Sequence, residues 1–427
     1  MPDPDHHRPL DGAEPSPRTT KYTLIATLYV AQAIPLGFFI TAMPVILRSE
    51  GLPIEHVGLF SVIAFPWLIK FLWAPLIDRH RPAWTARLAA RGHYLSWIVP
   101  LQLAAAVTVL GLAGLDLADH LGWIVALAAI FMLLSATQDI ATDGLAVRAL
   151  DDDERGPGNG LQVGGYYLGQ VLGGGLMLLL FDRLGWSWVF MAMAVFLVLP
   201  MPWALRFREP RAVSSAVRRT PVGYGAFKRF FSRPGTGAWV LLLLLFRSGE
   251  TMATFSFNQM LLDLGLGLAE IGLLAGLVYA VGALTGSLAG GFLVPVLGRR
   301  RALLMLAALQ SVAILGYLVP AGGAAGLGVL AGSLLVVSFA GGASTAALYT
   351  AMMDASDDAS AGTDFTIQQS LCAIGPVIGT GLSGFSVAAL GFAGHFVLCA
   401  GLAAAALLLV LGQRLPSERR VVEAAAA

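Results

Sequence analysis

Twelve apolar stretches run through this chain, and each is close to the roughly 20 residues that a helix needs to cross a bilayer. They fall near residues 22–46, 57–77, 94–113, 121–147, 159–181, 186–205, 238–262, 270–296, 302–320, 326–353, 365–389 and 395–412. Backbone in lipid must satisfy its own polar groups, so the expected fold is an all-α polytopic membrane protein. Composition agrees, with 57% hydrophobic and 12% charged residues where soluble domains carry about 25% charged. The 50 glycines would weaken soluble helices, but they let membrane helices approach closely.

The stretches form two groups of six. Residues 22–205 read as an N-terminal bundle and 238–412 as a C-terminal one. Between them, 206–237 reads as a polar linker rich in Arg and Lys, flanked at the chain ends by tails at 1–21 and 413–427. The first tail is rich in Pro, Asp, His and Arg and lacks an apolar core, so it is expected to be disordered and not a signal peptide. The groups also look like repeats. At an offset of 206 residues, Asp151, Asp152, Gly156, Gln162, Gly173 and Gly175 coincide with Asp357, Asp358, Gly362, Gln368, Gly379 and Gly381. The segment Ala74–Arg79 after the second span has a weaker echo at Val294–Arg299 after the eighth. Parallel six-helix halves of this kind are a transporter architecture with the solute site near the midplane between them.

Lys and Arg counts orient the chain. With both termini cytoplasmic, 23 of the 27 basic residues lie in inner segments, only Arg48 and Arg183 in outer ones, and Lys70 and Arg247 within spans. Such a bias sets both ends inside. The net charge of +1 gives no reason to expect a nucleic-acid partner.

Ionisable groups at membrane depth mark ion and solute pathways. Asp139 and Asp143 lie four residues apart in the fourth span, on nearly one helix face. They are candidates for proton coupling; the alternative is that both acids snorkel to the nearby cytoplasmic end, which fits Asp143 better than Asp139. Arg247 and Glu250 fall near the middle of the seventh span. Glu250 is a third proton-coupling candidate, and Arg247 a candidate solute ligand, unless the two form only a local neutralising pair. Lys70 is too deep to snorkel and calls for a carboxylate on the fourth span.

Gln32, Gln138, Gln162 and Gln368, with Tyr166 and Tyr349, are further solute-binding candidates; Asn258, Gln259 and Gln369 are also polar at depth. Some of these will only hydrogen-bond neighbouring helices. Trp67, Trp73, Tyr167, Phe246, Phe255 and Phe257 belong either to a pocket or to packing surfaces. Glycines repeat at spacing four in the fifth span, as Gly160 and Gly164 and as Gly165, Gly169 and Gly173, and in the eighth, as Gly282, Gly286 and Gly290, and such flat faces suit close crossings that rock between the halves. Asp78 and Arg79 are expected to act in gating with them. Pro35, Pro44 and Pro66 remove backbone donors inside spans and should kink them.

Absences narrow the class. There is no HExxH, no phosphate-binding loop pattern and no dinucleotide fingerprint after a strand, so neither enzyme activity nor a cofactor or metal is expected. Cys372 and Cys399 sit in separate apolar runs and read as small buried hydrophobes. Nothing resembles a channel's filter loop or charged ring.

The residues Lys70–Arg79 (KFLWAPLIDR), Gln138–Asp139–Ile140 followed by Asp143, and Glu154–Arg155–Gly156 leading to Gly165–Tyr166 resemble the major facilitator superfamily, and within it the AmpG-like permeases. The resemblance covers the N-terminal half in detail and the C-terminal half by layout. It implies a major facilitator fold of two six-helix repeats and a secondary transporter in a bacterial-type inner membrane, exchanging a small-molecule solute with protons by alternating access. Muropeptide permeases of the group carry two extra helices. The segment Gly158–Tyr166 (GNGLQVGGY) is more similar to the siderophore-permease branch. The expected solute is therefore a siderophore-like organic acid imported with protons; a muropeptide or acyl-compound such as acetyl-coenzyme A is the alternative. A transport-dead solute sensor is a third reading, and it predicts binding without accumulation.

Overall fold

A computed structural model of the chain describes residues 17–51, 61–82, 88, 90–210, 223–323, 326–412 and 415. Most of the expected tails and the middle of the linker lie outside the described residues. Among those described, ten helices are long and apolar enough to cross a membrane. One of them, Asp358–Gly412, turns at Gly391, where φ is 68°, and so makes two crossings. The shorter apolar helix Val62–Leu72, continued by Ala74–Arg79, completes twelve.

In chain order they are α1 (Arg18–Ser49), α2 (Val62–Leu72 with Ala74–Arg79), α3 (Leu95–Ala113), α4 (Leu117–Ala149), α5 (Arg155–Leu184) and α6 (Trp186–Arg206). The second half holds α7 (Thr236–Asp263), α8 (Glu270–Leu297), α9 (Arg299–Ala321), α10 (Leu327–Ala355), and α11 and α12 on either side of Gly391. Two boundaries differ from expectation. Helix α1 starts inside the stretch read as a tail, because Lys21 is held there by Asp151 at 2.9 Å and Glu154 at 2.7 Å. The linker, for its part, contains a short helix, Gly225–Ser232.

Packing is uneven along the bundle. One apolar core at the end where α1 begins draws on both halves, from Leu24 and Ile140 to Leu303 and Phe365. At the opposite end the core divides. Phe38, Phe131 and Phe190 centre a cluster within the first half, and Phe257, Tyr317 and Phe396 one within the second. The halves are therefore joined at one end and parted at the other.

Backbone irregularities occur where the sequence removes donors. Pro44 has no N–H for the carbonyl of Ile40, and α1 widens into a π turn over Phe38–Ala42 just before it. A second π turn, Leu172–Leu176 in α5, packs against the first. In α2, Pro66 and Pro75 flank a 3-10 turn at Lys70–Leu72.

Of the glycine faces expected to cross between the halves, the stripe of Gly160 and Gly164 lies against α8 and the others pack within a half. Gly165, Gly169 and Gly173 lie against Tyr29, Ala33 and Ile34 of α1, inside the first half. Gly282 and Gly286 lie against Ser338 and Phe339 of α10, inside the second. The close crossing that joins the halves is made by the expected Gly160, with Gly156 one turn before it, against Gly291 of α8; a Cβ on Gly156 would come 2.6 Å from the Gly291 carbonyl. The reason is register: glycines at spacing four on α5 form two stripes, and the one containing Gly160 faces α8.

Because the Cβ position of Gly169 is already filled by Ala33, Gly169→Leu should overpack α1 against α5 at a cost of about 1–3 kcal/mol. The expected result is a clear loss of monodisperse protein on size-exclusion chromatography. An unchanged elution profile and melting temperature would contradict this packing.

Candidate functional site

The parting of the halves creates a cavity of about 1890 Å³. Its walls near the open end are apolar, with Ile40, Leu179, Leu277 and Val377 among them, while its floor is polar. The floor has two charged centres, one in each half.

In the first half, Lys70 is 3% exposed. The 3-10 turn of α2 presents its ammonium to α4, where it pairs with Asp139 and lies 3.8 Å from Asp143 Oδ2. The same Nζ donates to Gln369 Oε1 of α11 at 2.7 Å, so a single ammonium is bonded in both halves. Gln32 of α1 donates to Asp139. Asp143 Oδ1 accepts from Tyr29 at 2.6 Å and from Gln162 at 3.0 Å. Three buried acceptors here have no hydrogen-bond donor: Asp143 Oδ2, Gln32 Oε1 and Gln162 Oε1. The cluster thus holds two carboxylates for one cation and is short of donors, which a proton on a carboxyl would supply.

In the second half, α7 breaks at Arg247, whose φ and ψ of −97° and −11° end one helical segment and begin the next. The guanidinium lines the cavity beside Tyr166, Tyr167, Tyr279 and Tyr349. Its buried Nε has no hydrogen-bond partner. Tyr167 of α5 and Tyr279 of α8 meet edge to face at 5.9 Å, carrying the aromatic wall across from one half to the other. Glu250, one turn beyond Arg247, is bonded instead to the Tyr279 hydroxyl at 3.1 Å and to Thr254 and Thr251 at 3.4 Å. No ion pair within 4.0 Å joins Arg247 to Glu250, so the guanidinium is left for something else.

Below the floor the halves are locked. Asp78, at the end of α2, accepts from Gly362 N at 3.2 Å, Thr363 N at 2.7 Å, Thr363 Oγ1 at 2.6 Å and Tyr94 OH at 2.6 Å. A carboxylate against the first N–H groups of α11 is a favourable arrangement at a helix N-terminus. Arg148 of α4 donates to the Asp358 carbonyl at 2.8 Å and Arg155 of α5 to Asp354 of α10 at 2.8 Å, while Arg299, paired with the same Asp354 at 2.9 Å within the second half, reaches across to the Asp152 carbonyl. In the α4–α5 loop, the Lys21 hydrogen bond holds the Asp151 carboxyl below the usual carboxylate range. Its contribution is therefore present above the unfolded carboxyl's value, about 3.9, and is lost only as pH falls further, through the lowered folded value.

A family model described as Major Facilitator Superfamily matches residues 25–374 and 239–427. The chain belongs to the Major Facilitator Superfamily. It is similar to the anhydromuropeptide permease of Escherichia coli K12, 28% identical over 91% of this chain and 78% of the relative. It also resembles a putative transporter AmpG 4 of Rickettsia felis, 24% identical over 67% of this chain and 70% of that one. Among solved structures, the human organic anion transporter MFSD10 superposes with a TM-score of 0.66 at 18% identity, covering 92% of this chain and 99% of that one. FucP in its outward conformation gives 0.67 at 14%, covering 92% and 98%. The names of the sequence relatives are those of muropeptide permeases and AmpG transporters, and they lend no support to the siderophore branch.

Of the residues singled out from the transporter's sequence, Gln32, Lys70, Asp139, Gln162, Tyr166, Arg247 and Tyr349 line one cavity. Asp143 lies just beneath it, joined through Tyr29 and Gln162, and Glu250 stands behind Tyr279. Two candidates are elsewhere. Gln138 turns to Gln102 of α3. Gln368 is consumed by Trp239, Met352, Ser356 and the Asp364 carbonyl; its neighbour Gln369 faces the cavity instead. Arg79 is exposed, and the lock is made by Asp78 alone of that pair.

Of the aromatic candidates, Trp67 and Tyr167 reach the cavity. Phe246 and Phe257 are core residues, and Phe255 is exposed. Tyr29, Gln170, Tyr279 and Thr345 line the cavity without having been singled out. Tyr29 was within reach of sequence reasoning, since it precedes Gln32 by three residues and shares its helix face. Tyr279 follows the π turn Leu273–Val278, which rotates the helix out of the register that spacing assumes.

Asp78→Ala removes the acceptor for four donors, three on α11 and the Tyr94 hydroxyl beside them. It should loosen the closed end, raising alkylation of a cysteine introduced as Thr363→Cys at least severalfold over the Asp78-containing control. Equal labelling with and without Asp78 would show that the arginine bonds hold that end shut by themselves.

Proposed function

We propose that this superfamily member imports an anionic, amide-bearing solute of the anhydromuropeptide class together with protons. The observation that carries the reading is the Arg247 guanidinium, aimed into the cavity with a buried Nε that has no partner. A planar guanidinium recognises a carboxylate through paired hydrogen bonds that Lys cannot reproduce. Around it, four glutamines (Gln32, Gln162, Gln170 and Gln369) and five tyrosines line the same space. That supply of amides and hydroxyls suits a sugar–peptide acid, and the cavity exceeds the roughly 300–1,000 Å³ of drug-sized sites. A compact aromatic siderophore would leave many of those polar groups unpaired, at about 1–3 kcal/mol each. The names of the sequence relatives support the same solute class.

The end rich in Lys and Arg is taken as cytoplasmic. The cavity then faces outward, with the cytoplasmic end closed by Asp78 and the three arginines. Asp139 and Asp143 are the proton site of the first half. A proton on Asp143 makes the Lys70 cluster neutral and provides a donor where three acceptors lack one. Inward opening requires Lys70 to release Gln369, and the protonation state of the α4 pair sets how strongly that ammonium is held to α4.

Right-side-out vesicles containing the transporter should accumulate a labelled anhydromuropeptide when the outside is made acidic. Arg247→Ala should lower this uptake about 30-fold, the equivalent of losing about 2 kcal/mol of charged hydrogen bonding. Accumulation of a labelled siderophore in its place, with no muropeptide uptake, would contradict the solute assignment.

A further inference from the structure

We propose that Glu250 is a second proton site, so that each singly charged solute anion enters with two protons and the transport cycle carries one net positive charge inward. This rests on the reading of Arg247 as the carboxylate anchor.

Glu250 is 3% exposed. Its bonded partners are neutral hydroxyls, those of Tyr279, Thr254 and Thr251, and the backbone of Gly341 in α10 closes over its carboxyl. The titratable side chains on the elements packed around this part of α7 are Tyr167 of α5, Tyr279 of α8, Tyr317 of α9, Tyr349 of α10, Cys372 of α11, and His395 and Cys399 of α12. Arg247 is the one permanent charge among these neighbours. A buried carboxylate needs a cation or a proton. While the cavity is open and wet, the Arg247 field serves. Once a solute carboxylate engages the guanidinium, that field is spent on the solute and a second negative charge lies beside Glu250.

Counting charges at the floor gives the stoichiometry. Lys70 and Arg247 are the cations; Asp139, Asp143 and Glu250 are the acids. Adding a solute carboxylate makes four acids for two cations, and an occluded, water-poor site is balanced by two protons. The first bonds a carboxyl oxygen in the Lys70 cluster. The second bonds Glu250, arriving from the outer solution past Tyr279, whose ring lines the cavity and whose hydroxyl meets Glu250 Oε1. On the inner side the solute leaves as an anion and both protons are released, so two positive charges and one negative cross together. With a single proton the same cycle would be electroneutral.

The test uses the full-length transporter in lipid. Infrared difference spectra between acidic and neutral buffer should show two protonated-carboxyl bands, one lost in Asp143→Asn and the other in Glu250→Gln. Glu250→Asp should shift the second band instead of removing it. Spectra in which Glu250→Gln loses no band would overturn the second site. In proteoliposomes, accumulation of labelled anhydro-N-acetylmuramic acid, which carries one carboxylate, should rise about tenfold for every 60 mV of inside-negative potential set with potassium and valinomycin. Uptake that follows a pH gradient but ignores the potential would overturn the two-proton cycle. A Glu250 band without any uptake of this sugar acid upholds the proton site and counts against the solute reading alone.

Discussion

The Lys70 ammonium, buried between two carboxylates of α4 and an amide of α11, is the interaction on which the rest of the site depends. Each of its bonds belongs to a different task. Asp139 neutralises it, Asp143 makes the cluster one acid too many, and Gln369 ties it to the other half. Removing one partner from a buried ion pair costs about 3–5 kcal/mol, because the remaining charge is stranded. A protonation event in such a cluster therefore changes energies on the scale needed to shift a conformational equilibrium, since about 5.5 kcal/mol carries a two-state population from one extreme to the other.

Holding that cluster at depth requires a backbone that is irregular in chosen places and tight in others. The 3-10 turn between Pro66 and Pro75 directs Lys70 toward α4, and the break at Arg247 directs its guanidinium into the cavity. Close glycine crossings keep these broken helices in register. Those of α5 with α1 and of α8 with α10 make each half a solid body, while Gly156 and Gly160 against Gly291 bring the halves together beside the core they share. The core is continuous only at the end locked by Asp78. A molecule rigid within each half, joined at one end and parted at the other, is suited to rocking.

Much of this was legible in the chain because membrane depth makes charge conspicuous. Long apolar runs, the basic bias of one set of loops and the repeat at 206 residues all follow from what lipid forbids. A lysine and two aspartates inside such runs are conspicuous for the same reason, and they meet. Legibility stopped where a rotation of one residue decides the outcome. Gln368 and Gln369 are adjacent, and only packing against Trp239 shows which is structural. Glycines at spacing four on α5 mark two stripes, and spacing alone does not say which faces the partner half. The π turns shift later residues, so Tyr279 was hidden. The supply of polar cavity groups was hard to read for a related reason: amides drawn from α1, α5 and α11 look sparse along the chain and dense once gathered around one cavity.

The account's central claim is that the α4 carboxylates beside Lys70 couple proton movement to transport. Uptake driven by an imposed pH gradient into vesicles bearing Asp139→Asn, with surface expression checked in the same preparation, tests it most directly. The account predicts that gradient-driven accumulation falls to background while the protein still reaches the membrane. Accumulation at the wild-type level would contradict it.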